Sequence, residues 1–452
     1  MALPPRTQGS LAASKDASAA VRTFALPVLR FIHTEGNGGM LLVGVTALAL
    51  ALANSPWRDL YFSLWHAEIA FDMKILHLAK PLHYWINDGL MAIFFFLVGM
   101  EIKHELTLGV LTGWRRAALP AIAALGGMVV PAGIYLAFNL NSGFSHGWGI
   151  PMATDIAFAL AVITLVKGVP VELKIFLLAL AIIDDIGAVL VIALFYTSQL
   201  SFSALAFSLL PLALIVVLLR VRERSALPYA VCAFLFWFAV LKSGVHATIA
   251  GIVLAFLVPH RPWITRQEFV EKSGPLVEEF KVATKTGNDD AGDNALGALE
   301  SLVEQTEAPV ERLTRLLHPW VSFFILPLFA FSNAGVPFAA DLLRNLASHP
   351  ISLGLILGLV TGKPIGIFLF TWLAVRLRIA ELPPGIRLAH IAGVGMIAGI
   401  GFTVSLFIAD LAFAEEQAKL VARTGVLVAS FLAAIIGYIA LSYISRKIPA
   451  PA

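Results

Sequence analysis

The sequence is poor in charged residues and nearly devoid of cysteine. Charged residues make up 13% of its 452 positions and hydrophobic residues 59%, whereas about a quarter of a soluble chain is charged. The only cysteine, Cys232, excludes an intramolecular disulfide and a cysteine-based metal site. A formal net charge of +3 gives no indication of nucleic-acid binding. The chain therefore lacks the polar surface of a soluble protein.

The N-terminal region also lacks the apolar core of a cleavable signal peptide. Residues 1–37 instead carry the mixed charges of Arg6, Lys15, Asp16, Arg22 and Arg30. We interpret 1–37 as a cytoplasmic tail.

What the chain has in abundance is apolar runs long enough to cross a bilayer, which takes about 20 helical residues. Backbone polar groups in lipid need internal partners, and the runs lack the alternation of barrel strands, so they are expected to be helices. The sequence predicts an all-α polytopic membrane protein with twelve transmembrane helices near 38–54, 83–103, 117–138, 148–166, 173–197, 202–219, 226–241, 244–258, 319–334, 351–375, 389–411 and 424–444.

The distribution of Lys and Arg predicts the orientation of these spans in a bacterial inner membrane. Basic residues are denser in the short loops on the side of the N-terminus, which places both termini in the cytoplasm. The predicted order is eight spans within 38–258, a long cytoplasmic loop at 259–318, four spans within 319–445, and a cytoplasmic C-terminus at 446–452.

Two segments outside the spans are distinctive. The outer, periplasmic loop 55–82 contains a partly alternating stretch, Ala67–Leu76, which indicates a β-hairpin. The inner loop has an acidic centre, Gly287 to Gly292, followed by the pattern of a short amphipathic helix. We interpret this inner loop as a solvated linker, with a regulatory role as the alternative.

The chemistry of the chain is expected at a pair of carboxylates. Ile175–Phe195 is apolar except for Asp184 and Asp185, and ionisable groups inside a span cost a few kcal/mol each. Burial and mutual repulsion favour proton binding by such a pair, whereas its deprotonated oxygens suit a small hard cation. Protons and a cation then compete for the same oxygens, which is the basis of an antiporter.

Two further spans have features of interrupted helices. Pro151 precedes Thr154 and Asp155 in the fourth span, and four glycines precede Thr403 in the eleventh. Such helices in corresponding positions of two halves indicate a midplane site in an inverted-topology repeat. Asp155 is expected to neutralise the N-terminal ends of the broken helices. Lys363 is expected either to face their C-terminal ends or to pair with Asp184.

These residues lie in motifs similar to those of the bacterial Na⁺/H⁺ antiporters of the NhaA type. In family order from about residue 36 to 440, the matching segments are Trp85–Ala92, Ala153–Ala159, Ala179–Ala188, Leu241–Thr248, His318–Trp320, Leu326–Phe331, Gly362–Gly366 and Gly399–Thr403.

The resemblance implies inverted-topology repeats whose two discontinuous helices cross near the midplane. It also implies electrogenic exchange of Na⁺ or Li⁺ for H⁺ by alternating access, with no cofactor. Asp184 and Asp185 would carry the cation and the protons, with Thr154 as a further ligand of the transported ion. Asp155 and Lys363 would balance charge at the crossing. Family members form homodimers through an outer β-hairpin, which would lie in the 55–82 loop.

The family's pH-sensing region is only partly matched. Glu101, Glu105, His246 and His318 correspond to family positions linked to pH response. His104, Thr314 and Arg315 differ from the best-known relative. His246 has the alternative interpretation of a neutral histidine packed in a helix hairpin.

Three other classes of protein are alternatives. An intramembrane aspartyl protease needs two facing carboxylates and a Gly-x-Gly-Asp element, which this sequence does not contain. A scaffold or sensor without transport would not need Asp155, Asp184, Asp185 and Lys363. A sodium-coupled organic-anion symporter of similar repeat architecture is the closest alternative.

Overall fold

The computed structural model describes residues 36–447 apart from 74–75, 108, 110–113, 198–199, 224, 339–345 and 347, with only the backbone at 70–73, 76–79 and 114–116. The predicted terminal tails therefore lie almost wholly outside the described residues. In chain order the elements are α1 Gly36–Ala53, α2 Arg58–His66, β1 Glu68–Met73, β2 Leu76–Pro81, α3 Leu82–Thr107, α4 Trp114–Asn139, a 3₁₀ helix Ser145–Met152, α5 Ile156–Leu165, α6 Val171–Phe195, α7 Phe202–Arg220, α8 Ala226–Lys242, α9 Ala247–Leu257, α10 Arg266–Thr286, α11 Asp289–Thr306, α12 Pro309–Asn333, α13 Pro350–Arg376, α14 Leu388–Ala398, α15 Phe402–Ala412 and α16 Glu416–Lys447.

The membrane-spanning character of the fold is clear from its helices. Among the described residues, eight helices are long and apolar enough to cross a bilayer: α1, α3, α4, α6, α7, α12, α13 and α16. Two bent pairs qualify when each is taken as one span, and α8 and α9 are shorter apolar helices. The predicted all-α membrane class is confirmed. The count of twelve spans and the inverted repeat stay predictions.

The two bent pairs coincide with the spans expected to be interrupted. The 3₁₀ helix Ser145–Met152 meets α5 at 42°, and α14 meets α15 at 51°. Ala153 between the first two is extended, and Gly399–Gly401 separates the second two. Glycine and proline weaken the helical backbone at these points, which leaves backbone groups exposed to other partners.

Two long spans contain a widened π turn just before a proline. Val321–Ile325 precedes Pro327 in α12, and Gly358–Gly362 precedes Pro364 in α13. A proline ring clashes with the carbonyl group four residues earlier in a regular helix, and a wider turn relieves that clash. The second π turn ends immediately before Lys363, so it helps to set the direction of that side chain.

The segments outside the spans are more ordered in secondary structure than the sequence suggested. β1 and β2 pair in antiparallel fashion, with Glu68 opposite Pro81 and Met73 opposite Leu76, so a β-hairpin lies where Ala67–Leu76 indicated one. In the 259–318 region, α10 and α11 occupy most of the segment and α12 begins at Pro309, and the expected amphipathic helix lies within α11. Capping residues that the hydropathy pattern does not register explain the difference.

The described residues fall into two compact units. One contains the residues up to Phe62, Ala118–Ala188 and those from Phe329 onward, and the other contains Ser63–Ala117 and Val189–Leu328. Close helix packing in the first unit depends on glycine. A Cβ atom on Gly366 would lie 2.0 Å from the carbonyl oxygen of Gly126, and one on Gly126 would lie 2.3 Å from that of Gly366. Small residues at such contacts allow membrane helices to approach closely.

Candidate functional site

The two tandem carboxylates lie on the middle of α6 and are buried. Asp184 has 0% and Asp185 2% of its surface exposed. Adjacent helical residues point about 100° apart, so α6 is enclosed by protein over a wide arc at this level. Buried carboxylates require compensating partners, and the first unit of the chain supplies them.

The main partner of Asp184 is a lysine of α13. Lys363 is itself 0% exposed, and its Nζ lies 3.0 Å from Asp184 Oδ2. The same ammonium group donates to the carbonyl oxygen of Met152, the last residue of the 3₁₀ helix. Lys363 therefore contacts Asp184 and also the C-terminal end of a broken helix, where carbonyl groups lack helical partners.

Thr154 lies in the break of the fourth span and contacts the same carboxylate oxygen. Its hydroxyl oxygen is 2.7 Å from Asp184 Oδ2 and 3.1 Å from the carbonyl oxygen of Ala398, at the end of α14. A hydroxyl has one proton to donate, so it can donate to only one of these acceptors at a time. The direction of this hydrogen bond therefore depends on whether Asp184 carries a proton.

Asp155 connects the two broken spans by binding the N-terminal ends of the helices that follow the breaks, α5 and α15. Its Oδ1 accepts the backbone N–H of Phe158 at 2.9 Å, which caps α5. Its Oδ2 accepts the backbone N–H of Thr403 at 3.0 Å and the hydroxyl of Thr403 at 2.5 Å. Its own N–H donates to the carbonyl oxygen of Ile400 at 2.7 Å. One carboxylate thus satisfies the N-terminal donors of both second half-helices, α5 and α15.

The remaining oxygen of the central carboxylate is unused. Asp184 Oδ1 is buried and, within the described part of the chain, has no hydrogen-bond partner. Buried polar atoms in native proteins are almost always paired. An anionic oxygen in this state is a position for a proton or for a small cation, and the adjacent Asp185 carboxylate and Thr154 hydroxyl are oxygen donors of the same hard type.

The four residues that the family resemblance associates with pH response lie in the second unit. His246 caps α9, with Nδ1 2.8 Å from the Thr248 hydroxyl and Nε2 3.4 Å from Asp88 Oδ1, so it is held by partners on both ring nitrogens. Glu101 and Glu105 lie near the end of α3, and His318 is buried in α12, which packs against α3. His246 therefore binds Thr248 and Asp88.

Sequence reasoning did not assign the partners that come from the backbone. The carbonyl groups of Met152, Ala398 and Ile400 all bind site residues, yet any residue type can supply a carbonyl group. Thr403 was noted only as the end of a glycine-rich stretch. The Thr403 hydroxyl, on the second residue of α15, was the available signal for an Asp155 partner.

Taken together, helices broken at two places, a buried carboxylate pair and a buried lysine define an ion-coupled secondary transporter of the membrane. The comparisons with known proteins identify which kind. The model of the family described as Na⁺/H⁺ antiporter 1 matches residues 29–441, and the chain belongs to this family.

Curated relatives cover nearly the whole chain. The sequence is 46% identical over 418 residues to the Na⁺/H⁺ antiporter NhaA of Koribacter versatilis, covering 92% of this chain and 91% of the relative. It is 46% identical to the NhaA of Shewanella frigidimarina, covering 91% and 95% of the two chains. It is 44% identical to the NhaA of Oleidesulfovibrio alaskensis, covering 93% and 94%.

Proposed function

We propose that this protein extrudes Na⁺, and also Li⁺, in exchange for protons by electrogenic alternating access, and so serves sodium and pH homeostasis. The observation that carries the proposal is the asymmetry of the Asp184 carboxylate. Oδ2 is held by Thr154 and Lys363, whereas Oδ1 is buried without a hydrogen-bond partner in the part of the chain that the structure describes. Family membership supports the same exchange.

The geometry supports direct competition between the two kinds of cargo. A cation bound at Asp184 Oδ1, Asp185 and Thr154 requires ionised carboxylates, and it repels the Lys363 ammonium group. A proton on either carboxylate removes a ligand charge and releases the cation. Binding of one cargo therefore expels the other, without a resident metal or cofactor in the site.

The membrane location and the assembly belong to the same proposal. A multi-pass protein with both termini cytoplasmic in a bacterial inner membrane agrees with the distribution of Lys and Arg. A homodimer formed through the 55–82 segment agrees with the two-stranded sheet β1–β2, because a strand edge can pair with a second copy.

Proton flux in everted membrane vesicles tests the exchange. Added Na⁺ or Li⁺ is expected to collapse a respiration-driven pH gradient between about pH 6.5 and pH 9, and K⁺ is expected to do so only weakly. Absence of any response over this range would falsify the proposal.

Two variants test the assignment of the ligands. Asp184→Asn and Asp185→Asn are each expected to abolish the response, because an amide cannot carry the exchanged proton or the ligand charge. A fully active Asp185→Asn variant contradicts its role as a ligand. The organic-anion symporter is distinguished by uptake of substrate together with sodium, with no dissipation of the pH gradient.

A further inference from the structure

A cavity lies in the unit formed by Ser63–Ala117 and Val189–Leu328, whereas the carboxylate site belongs to the other unit. Its volume is about 510 Å³, and the polar side chains that line it come from Thr107, His260, Arg261, Arg266, Thr306 and Glu311. These residues belong to the end of α3, the segment after α9, the start of α10, the end of α11 and the start of α12. The cavity is therefore built where five elements meet.

Backbone hydrogen bonds hold the walls of the cavity in place. The N–H of Val310 at the start of α12 donates to the carbonyl oxygen of Pro259 at 3.2 Å, and the N–H of Trp263 donates to that of Gln305 at 2.9 Å. The segment that carries His260 and Arg261 is thus attached to both α11 and α12. The cavity is a feature of this packing and does not depend on a single side chain.

Arg261 and Arg266 have no carboxylate partner among the described residues, although both line the cavity. No ion pair of the described residues includes either guanidinium group. Other cations of the same region are paired, namely Arg312 with Glu304, Arg315 with Glu307 and Lys281 with Glu278. The cavity therefore concentrates unneutralised positive charge.

The acidic residues near the cavity leave that charge largely intact. Glu268, two residues after Arg266, accepts the N–H of Thr265 at 2.7 Å and its hydroxyl at 3.1 Å, in a capping box. These hydrogen bonds hold the pKa of Glu268 below its usual range, and they commit its carboxylate to the start of α10. Glu311 also lines the cavity and opposes an anion, but two guanidinium groups line it as well.

Apolar side chains are exposed at the ends of α3 and α9, close in sequence to residues that line the cavity. Leu106 and Phe256, at the ends of α3 and α9, are exposed, and both helices are apolar. Lys103 on α3 donates to the carbonyl oxygen of Phe256 at 2.7 Å and so fixes the two helix ends side by side. An anion with attached acyl chains could place its charge in the cavity and its chains along these residues.

We propose that this cavity binds a phosphate group, held by the guanidinium groups of Arg261 and Arg266. Arginine binds phosphate bidentately, which a compact ammonium group cannot do. Basic pockets at helix ends on the cytoplasmic side are sites for anionic lipid head groups. The chemistry is shared by a lipid head group and a soluble phosphate compound. The site is independent of the proposed cation exchange.

Binding to the purified full-length protein in neutral detergent tests the proposal with two probes. In one arm, phosphatidylglycerol or phosphatidylcholine is added, and the lipid retained per protein after size exclusion is measured. In the other, inorganic phosphate replaces chloride at equal ionic strength, and the shift in melting temperature is measured. Retention of phosphatidylglycerol above phosphatidylcholine identifies a lipid head group, and stabilisation by inorganic phosphate alone identifies a soluble compound.

The variant Arg261→Gln/Arg266→Gln is expected to weaken the binding about tenfold or more, because each lost guanidinium removes charge-assisted hydrogen bonds. The control Lys272→Gln/Lys285→Gln removes the same charge from exposed positions of α10 outside the cavity and should bind like the unmodified protein. If the glutamine variant does not elute as a folded protein, Arg261→Lys/Arg266→Lys keeps the charge and loses the bidentate geometry, and reduced binding is again expected. Binding equal to that of the unmodified protein in either variant overturns the proposal, as does the absence of binding in both arms.

Discussion

At the scale of single residues, the site depends on the unequal use of the two Asp184 oxygens. Oδ2 is 2.7 Å from the Thr154 hydroxyl and 3.0 Å from Lys363 Nζ, whereas Oδ1 is buried with no hydrogen-bond partner among the described residues. A threonine in this place adjusts to the state of the carboxylate, because it donates to an ionised oxygen and can accept from a protonated one.

The variant Thr154→Val removes that hydroxyl and keeps the shape of the side chain. A hydrogen bond to a charged group contributes about 1.5–3 kcal/mol, so we expect the half-saturating Na⁺ concentration to rise about tenfold. Proton flux against Na⁺ concentration in everted vesicles measures it. Thr361→Val is the matched control, because the Thr361 hydroxyl bonds only the carbonyl oxygen of Leu357 in its own helix. An unchanged half-saturation in Thr154→Val would mean that the hydroxyl does not bind the cation or its ligand.

The variant Lys363→Met leaves the Asp184 carboxylate buried without its cation. Removing one partner of a buried ion pair lowers the free energy of unfolding by about 3–5 kcal/mol. Adding Asp184→Asn should restore most of this loss, which denaturant titration in detergent measures. For comparison, Lys419→Met breaks an ion pair with the exposed Glu416 and is expected to cost about 0–1 kcal/mol. Equal stabilities of Lys363→Met and the double variant would show that the pair is not coupled.

The acidic and basic residues of the site could be predicted because charged side chains are rare and costly inside a membrane span. Asp184, Asp185, Asp155 and Lys363 are charges inside apolar runs, and the structure buries all four. The carbonyl groups of Met152 and Ala398 could not be predicted, since their role arises from where a helix ends and not from a side chain. Which oxygen of Asp184 remains open is likewise a matter of three-dimensional geometry.

At the scale of elements, the contact between α4 and α13 sets the position of Lys363. Gly126 and Gly366 lie backbone to backbone, with no room for a Cβ atom on either. Gly127, next to Gly126, is near the Lys363 side chain. The packing of two glycines therefore brings the lysine close to α6.

The variant Gly366→Ala is expected to force α4 and α13 apart. Overpacking of a well-packed core costs about 1–3 kcal/mol, so the melting temperature and the transport activity should both fall. Gly133→Ala is the matched control within α4, because a Cβ atom there would meet no atom within 4 Å. A Gly366→Ala variant as stable and active as the control would contradict the close contact.

The α10–α11 pair shows what the hydropathy pattern alone misses. Its acidic, polar composition suggested a linker, yet Thr265 and Glu268 form a capping box and Asn288 caps α11. The Thr-x-x-Glu pattern of a capping box was present in the sequence and predicts a helix start. A polar composition predicts that a segment is exposed to solvent, but not whether it is helical. Capping residues predict where a helix begins or ends.

Replacing residues 266–304 by a short Gly/Ser linker tests whether this pair regulates transport. The ends to be joined are adjacent, because the Trp263 N–H lies 2.9 Å from the carbonyl oxygen of Gln305. We expect exchange to persist, since Asp184 and its partners lie outside the deleted segment, and we expect its pH profile to move. Proton flux as a function of pH measures both. An unmoved profile would leave the pair without a regulatory role.

At the scale of the whole molecule, the hairpin β1–β2 is the element that suits assembly. It forms a two-stranded sheet whose outer edges pair with no other strand among the described residues. Exposed strand edges are sites for pairing with another chain. Its base is closed by a hydrogen bond of 2.9 Å from the Leu82 N–H to the carbonyl oxygen of Ala67.

Replacing residues 69–80 by a Gly-Gly link is therefore expected to convert a dimer into a monomer without unfolding the helices. Light scattering after size exclusion in detergent measures the mass, and vesicle assays measure exchange per protomer. Retained exchange by a monomer would assign the hairpin to assembly alone. A variant that remains dimeric contradicts the proposed interface.

Asp155 has a mechanical consequence for any transport cycle. The Asp155 carboxylate accepts hydrogen bonds from the N–H groups of Phe158 and Thr403. It therefore links two separate spans. Rotation of α5 away from α15 would strip at least one cap and leave a buried donor unpaired, at a cost of about 1–3 kcal/mol. We therefore expect the two half-helices to move together, and a cation pathway to open beside this pair and not between its members.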